Sequence, residues 1–267
     1  MSGEARPVLG VLVRPLTMDE AVEEVVRAGH EQRPLGVSAL AVHGLMTAVG
    51  DPELQYRLNA LEMVVADGQP VRWGLNWLHG SRLPERVAGP DLMDQVCRRA
   101  AAELLPIYLY GSTQETLDRL AGRLTYRHPG LQVAGAQPSR FRSATPEERV
   151  GDLERIRATG ARIVLVGLGC PRQEVWVYEN RLDLSLPALG VGAAFDFHAG
   201  LLERAPVWMQ RSGLEWLYRL LQEPGRLWRR YLFLNPAYLS LLALEKLRLR
   251  RFDSHRATPP AQPVLPG

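Results

Sequence analysis

Lysine is almost absent from this 267-residue chain: of 32 basic residues, only Lys246 is not an arginine. Recognition of phosphate or carboxylate here therefore rests on planar guanidinium forks rather than on ammonium point charges. Cysteine is scarce as well. Cys97 and Cys170, with no C-x-x-C and no H-E-x-x-H in the chain, are too few for a disulfide framework or a structural zinc site, and both read as ordinary buried thiols. Long apolar runs are missing too. The stretch over residues 161–169 falls far short of the roughly 18 residues a spanning helix needs, so no transmembrane helix is expected. The first residues have no basic segment followed by a sustained apolar one, which argues against a secretory signal and for a cytoplasmic chain. With 46% hydrophobic residues the chain can fill a core, and disorder is excluded as its main state.

Net charge is a modest +3, but it is unevenly spread. Residues 201–256 carry ten Arg and one Lys against five acids, a balance of +6, which leaves residues 1–200 at −3. Within that first part, a lead-in with one short helix over 18–28 precedes alternating strand-like and helix-like runs. Strands are expected over 35–42, 63–66, 107–110, 131–134, 162–166 and 188–191. Each is short and nearly continuously apolar, as suits strands covered on both faces. Helices are expected over 90–104, 113–128, 145–159 and 171–182. The third opens on Thr145-Pro146-Glu147-Glu148, an N-cap Thr with Pro in the first turn and Glu three residues on. This alternation predicts an α/β fold with a parallel, doubly wound sheet.

Past Gly200 the strand-like alternation stops. Residues 201–256 carry Trp208, Trp216 and Trp228 and read as a basic, amphipathic appendage of two or three helices broken near Pro224 and Pro236. Leu214, Leu217, Leu220 and Leu221 share a face, while Arg211 and Arg219 flank another. Such a segment suits a helix docked on the sheet or one lying in a membrane interface. Residues 257–267, uncharged and proline-rich, are expected to be disordered.

In an open α/β sheet, ligands gather beyond the carboxyl ends of the strands. Asp67-Gly68 follows one strand, placing a carboxylate there or, alternatively, an N-cap for the helix after Pro70. Residues 166–174 form a strand, a Gly-rich turn and a Pro-opened helix whose amides suit an anion. Arg86 lies in a loop leading into a helix, and residues 192–200 form a small-residue strand exit. Neither G-x-G, at Gly167 and Gly190, continues as a dinucleotide fingerprint, and both come late in the fold. A nicotinamide-dependent oxidoreductase is therefore the weaker alternative. No Walker loop, nucleophile elbow or D-x-D is present. His198, near Asp196, reads as a structural histidine.

Six ordered blocks, ADGQPVRW, LPERVAGPDL, GLGCPRQEVW, GVGAAFDFHAG, RAPVWMQRSGLEWLYRL and EPGRLWRRY, resemble those of the WecG/TagA/CpsF glycosyltransferases over about residues 37–231. The resemblance implies a Rossmann-like sheet with a C-terminal helical appendage that targets the inner face of the cytoplasmic membrane and closes over the active site. It further implies metal-independent, inverting transfer of a sugar such as N-acetylmannosamine from a UDP donor to an undecaprenyl-diphosphate-linked saccharide. It calls for no cofactor and no nucleic-acid partner, and it allows a homo-oligomer, since relatives can self-associate when the appendage is away from the body. Asp67 matches the proposed base and Arg86 is a guanidinium for the leaving group. Gln173, Asp196 and the Ser38 hydroxyl match donor contacts, and Arg219, Arg226 and Arg229 match arginines that close over the site. Two positions depart from the pattern: Leu40 replaces an Asn, and Ala136 replaces a Tyr. If these losses removed the chemistry, a membrane-docking scaffold would remain.

Overall fold

The computed structural model describes residues 3–267, without the side chains of Arg211, Arg226, Arg230 and His255. The chain opens on an antiparallel hairpin of β1 (Arg6–Val8) and β2 (Val11–Val13). Its two-residue turn places Leu9 at φ 50° and Gly10 at φ 82°, the sign that matches the strands' own twist. Three-residue strands are too short to show a period, and the lead-in gave no sign of this hairpin. Helix α1 (Met18–Glu31) follows, its start fixed by a reciprocal capping box between Thr17 and Glu20.

The body then alternates strand and helix, with α2, α3 and α9 added to the expected helices and the strand expected over 131–134 shifted to β6: β3 (Leu35–Leu40), α2 (Val42–Gly50), α3 (Pro52–Asn59), β4 (Met63–Ala66), α4 (Gln69–His79), α5 (Gly89–Ala102), β5 (Ile107–Tyr110), α6 (Gln114–Arg127), β6 (Val133–Gln137), α7 (Pro146–Ala158), β7 (Ile163–Val166), α8 (Arg172–Leu184), β8 (Pro187–Gly190) and α9 (Ala194–Ala199). The six strands form one parallel sheet in the order β4-β3-β8-β7-β5-β6. The predicted first strand ends two residues early because Val42 opens α2. Thr145 caps α7 in the expected box with Glu148.

Successive strand residues enter opposite cores. Val64, Ala66, Val164 and Val166 pack with α2, α3, α4, α7 and α8. Met63, Val65, Ile163 and Leu165 pack with α1, α5, α6 and α9. A period of two with both faces covered is why these strands read as continuous apolar runs. After β3 the chain turns into α2 on one face, and after neighbouring β8 it turns into α9 on the other. The two departures diverge and open a crevice at the strand ends.

The appendage comprises α10 (Val207–Arg211), α11 (Glu215–Gln222), α12 (Pro224–Arg229), a π-helical stretch (Arg230–Leu234) and α13 (Asn235–Lys246). The expected break at Pro224 is present. At Pro236 the chain instead widens into the π-helical stretch just before the proline, which has no N–H to offer the Leu232 carbonyl. Helix α13 is anchored to the body: buried Tyr238 donates its hydroxyl to the Pro70 carbonyl at 3.0 Å, over Gly74. A Cβ at Gly74 would lie 2.4 Å from that hydroxyl. By contrast, α11 buries no residue. The proline-rich end, expected to be disordered, is laid against the loop after β6. Ser139 Oγ and Arg172 Nη2 each donate to the Gly267 carbonyl at 2.7 Å, and Ala144 N donates to Leu265 O at 2.7 Å. Docked backbone groups replace the water that a free tail would bind.

Candidate active site

A cavity of about 260 Å³ fills the crevice at the ends of β3, β4 and β8, and residues of α11 and the π-helical stretch cover it. Asp67 stands at its floor. The Asp67 N–H donates to Leu40 O at 3.1 Å, so the residue leaves β4 while still tied to β3. Gly68, not Asp67, is the N-cap of α4, and no side chain caps that helix. The carboxylate turns elsewhere: Oδ1 accepts the N–H of Gly89, the first residue of α5, at 3.2 Å. Burial drives the Asp67 carboxyl above its ordinary range, against the pull of Arg86 and with the push of Glu215.

Arg86, in the loop between α4 and α5, donates Nη2 to Glu215 of α11. Both side chains are largely covered, at 15% and 14% exposure. Burial opposes the charge on Arg86, but Asp67 and Glu215 together hold the guanidinium more firmly protonated than usual. Nearby, Arg204 grips Asp91 through both nitrogens, at 2.5 and 3.1 Å, and also donates to Gln210 Oε1 at 2.9 Å. The charged groups that act on Asp67 are the guanidiniums of Arg86 and Arg219 and the carboxylate of Glu215. Among the described residues, no group of three or more His, Cys, Asp or Glu is placed to hold a metal ion.

The opposite wall belongs to α8. Gly169, with φ 76°, and Cys170 lead into Gln173 and Glu174, and all four line the cavity. Cys170 is thus partly exposed, unlike Cys97, which is buried and whose thiol burial raises. Ser38 lies in β3, fully buried, and its hydroxyl donates to Glu174 at 3.4 Å rather than facing the cavity.

Arg219 of α11 lines the cavity, with its guanidinium 5.6 Å from the Phe197 ring. Asp196 is not among the lining residues; its neighbour Phe197 is, and the Asp196 carbonyl caps the end of α9 by accepting from Leu201 and Leu202. Arg229 is exposed, does not line the cavity and stacks over Trp228 at 5.2 Å. The Arg226 side chain lies outside the described residues. Glu223, at φ −128° and ψ 59°, ends α11 before α12 begins, so Arg219 and Arg229 stand on separate helices. His198 Nε2 donates to Pro90 O at 2.8 Å, a structural role as expected. Glu174 and Glu215 were not predicted. The first adjoins Gln173 in a helix buried nearly all round, and the second follows Gly213 with no telling spacing.

The profile of the Glycosyl transferase WecG/TagA/CpsF family matches residues 6–252. The chain belongs to that family. It is a glycosyltransferase of cell-surface polysaccharide synthesis, a class that uses a sugar donor and a lipid-linked acceptor. Its match takes in the hairpin, the whole sheet and the appendage through α13. In this WecG/TagA/CpsF chain no helix among the described residues is long and apolar enough to cross a membrane.

Proposed function

We propose that this chain is an inverting transferase that needs no metal and moves a sugar of the N-acetylmannosamine type from a UDP donor to an undecaprenyl-diphosphate-linked saccharide. The carrying observation is Asp67: a carboxylate at a strand end, held by the Gly89 N–H and facing Arg86 across a cavity. Inversion needs one base and no covalent nucleophile. Asp67 takes the proton from the acceptor hydroxyl as that oxygen attacks the anomeric carbon. The bond from that carbon to the diphosphate oxygen breaks, and UDP departs with the electron pair. A carboxyl whose proton affinity is raised by burial is a stronger base than one in water. Arg86 and Arg219 bring fixed positive charge to the departing diphosphate, and their forks match phosphate oxygens.

The appendage supports action at the inner membrane face. Trp208, Trp228, Leu232 and Phe233 are well exposed on a segment of net charge +6, a composition suited to an anionic lipid interface. The test is calorimetry with a panel of UDP-sugars and with NADH, followed by turnover on a lipid-diphosphate acceptor with and without EDTA. UDP-sugar binding and EDTA-resistant turnover are expected; binding of NADH in place of UDP-sugars would overturn the reading.

A further inference from the structure

Glu174 sits where a helix packs on the centre of the sheet, and only 2% of it is exposed. A carboxyl there is costly, and an apolar side chain of the same size would pack without that penalty. Its surroundings show what it holds. Glu174 Oε1 accepts from Gln173 Nε2 at 3.1 Å and from Ser38 Oγ at 3.4 Å. Gln173 is itself only 4% exposed, lines the cavity, and leaves its Oε1 with no hydrogen-bond partner.

The rest of the Gln173 side chain is confined by two glycines. A Cβ on Gly190 would lie 3.3 Å from Gln173 Cγ, and one on Gly192 would lie 3.2 Å from Gln173 Oε1. The amide therefore rests against bare backbone at the end of β8, and a side chain at either position would have to displace it. A glutamine amide can present either its oxygen or its nitrogen, and neighbouring groups decide which. Here Ser38 donates to the same carboxyl oxygen from a fully buried strand position, so that oxygen acts as an acceptor and draws the nitrogen of Gln173. The carbonyl oxygen is left without a protein partner, buried against Gly192 at the wall of the cavity.

We propose that Glu174 is a positioning residue: it holds the Gln173 amide by its nitrogen so that Gln173 Oε1 faces the cavity as the acceptor for an N–H or O–H of the bound sugar nucleotide. This rests on the transferase reading for the identity of the ligand, but the orientation of Gln173 does not. Burial moves the Glu174 carboxyl above its ordinary range, against its hydrogen bonds. A neutral amide at the same position therefore serves the same role.

The experiment separates the two levels. In ¹⁵N-labelled protein, the Gln173 side-chain amide is assigned by its loss in Gln173→Ala, and its exchange with solvent is measured. Glu174→Met, which conserves volume but cannot accept, is expected to speed exchange at least about tenfold, whereas Glu174→Gln keeps it slow. Ser38→Ala, a milder change should the Met variant not fold, is expected to speed exchange by a smaller factor. Unchanged exchange in the folded variants overturns the proposal. In turnover, Glu174→Met is expected to raise the donor KM about tenfold with kcat little changed, Glu174→Gln to restore it, and Glu174→Met to add nothing in a Gln173→Ala background. An equal fall in kcat in both backgrounds would also overturn the proposal, marking damage unrelated to Gln173. A wild type that turns over no UDP-sugar would instead sink the transferase reading, while the exchange measurement still decides the orientation.

Discussion

The carboxylate of Asp67 is held by the backbone N–H of Gly89, 22 residues further on, at 3.2 Å. The bond ties the end of β4 to the first turn of α5 and leaves the α4 N-terminus without a side-chain cap. One carboxyl oxygen is thereby fixed, and the group keeps a defined direction toward the cavity.

From this geometry, Asp67→Asn is expected to nearly abolish transfer without unfolding the protein. The Asn carbonyl oxygen can still accept from Gly89, but it cannot take up a proton. Turnover should fall by about 10²–10⁴-fold while UDP affinity is retained. Wild-type turnover in a folded Asn variant would remove Asp67 from the mechanism.

The same residue makes stability depend on pH in a direction opposite to most carboxylates. Its folded-state pKa is raised, so above the unfolded value of about 3.9 the native state binds more protons than the unfolded chain. The stabilisation is full below that value and is lost as pH rises through the folded pKa. Denaturant titrations of wild type and Asp67→Asn should therefore diverge as pH rises from about 4, with the Asn variant becoming the more stable. Glu174→Gln should diverge in the same sense, because that carboxyl is raised as well. Parallel stability curves would contradict both.

Arg86 and Glu215 share one hydrogen bond across the cavity roof, so a diphosphate bound as proposed would compete with Glu215 for the same fork. Arg86→Ala is expected to lower turnover about 10²-fold, and Arg86→Lys should not restore it, since an ammonium lacks the planar fork of parallel N–H donors that pairs side by side with two phosphate oxygens. Glu215→Gln should bind UDP more tightly in calorimetry than wild type does. Equal UDP affinity for Arg86→Ala and wild type would separate this arginine from the diphosphate.

The appendage arginines are expected to divide by location. Arg219 lines the cavity, so Arg219→Ala should reduce turnover of a detergent-soluble acceptor analogue and spare liposome binding. Arg229, exposed over Trp228, should do the reverse, with Arg229→Ala weakening binding to anionic vesicles by about 1 kcal/mol. Vesicle co-sedimentation beside turnover reads both. The same profile from both variants would reject the division.

Much of the local structure, and the class, can be read along the chain. Residues 63–66 and 107–110 are legible as strands because burial on both faces makes every position apolar. Thr145 and Glu148 mark a helix start within four residues, and six short blocks carry the family. Asp67 was legible as a carboxylate at a strand end, and Gln173 as a polar residue at a helix start. What each group touches comes from packing alone. It placed β8 beside β3, turned Asp67 to Gly89, set Glu215 on Arg86 from 129 residues away and brought Ser38 to Glu174 across 136. It also docked the proline-rich end and separated Arg229 from Arg219 at Glu223. Strand and helix periods repeat every two or 3.6 residues and are set by neighbours along the chain. Pairings across more than a hundred residues leave no period to read, since they arise only when the sheet and its helices pack.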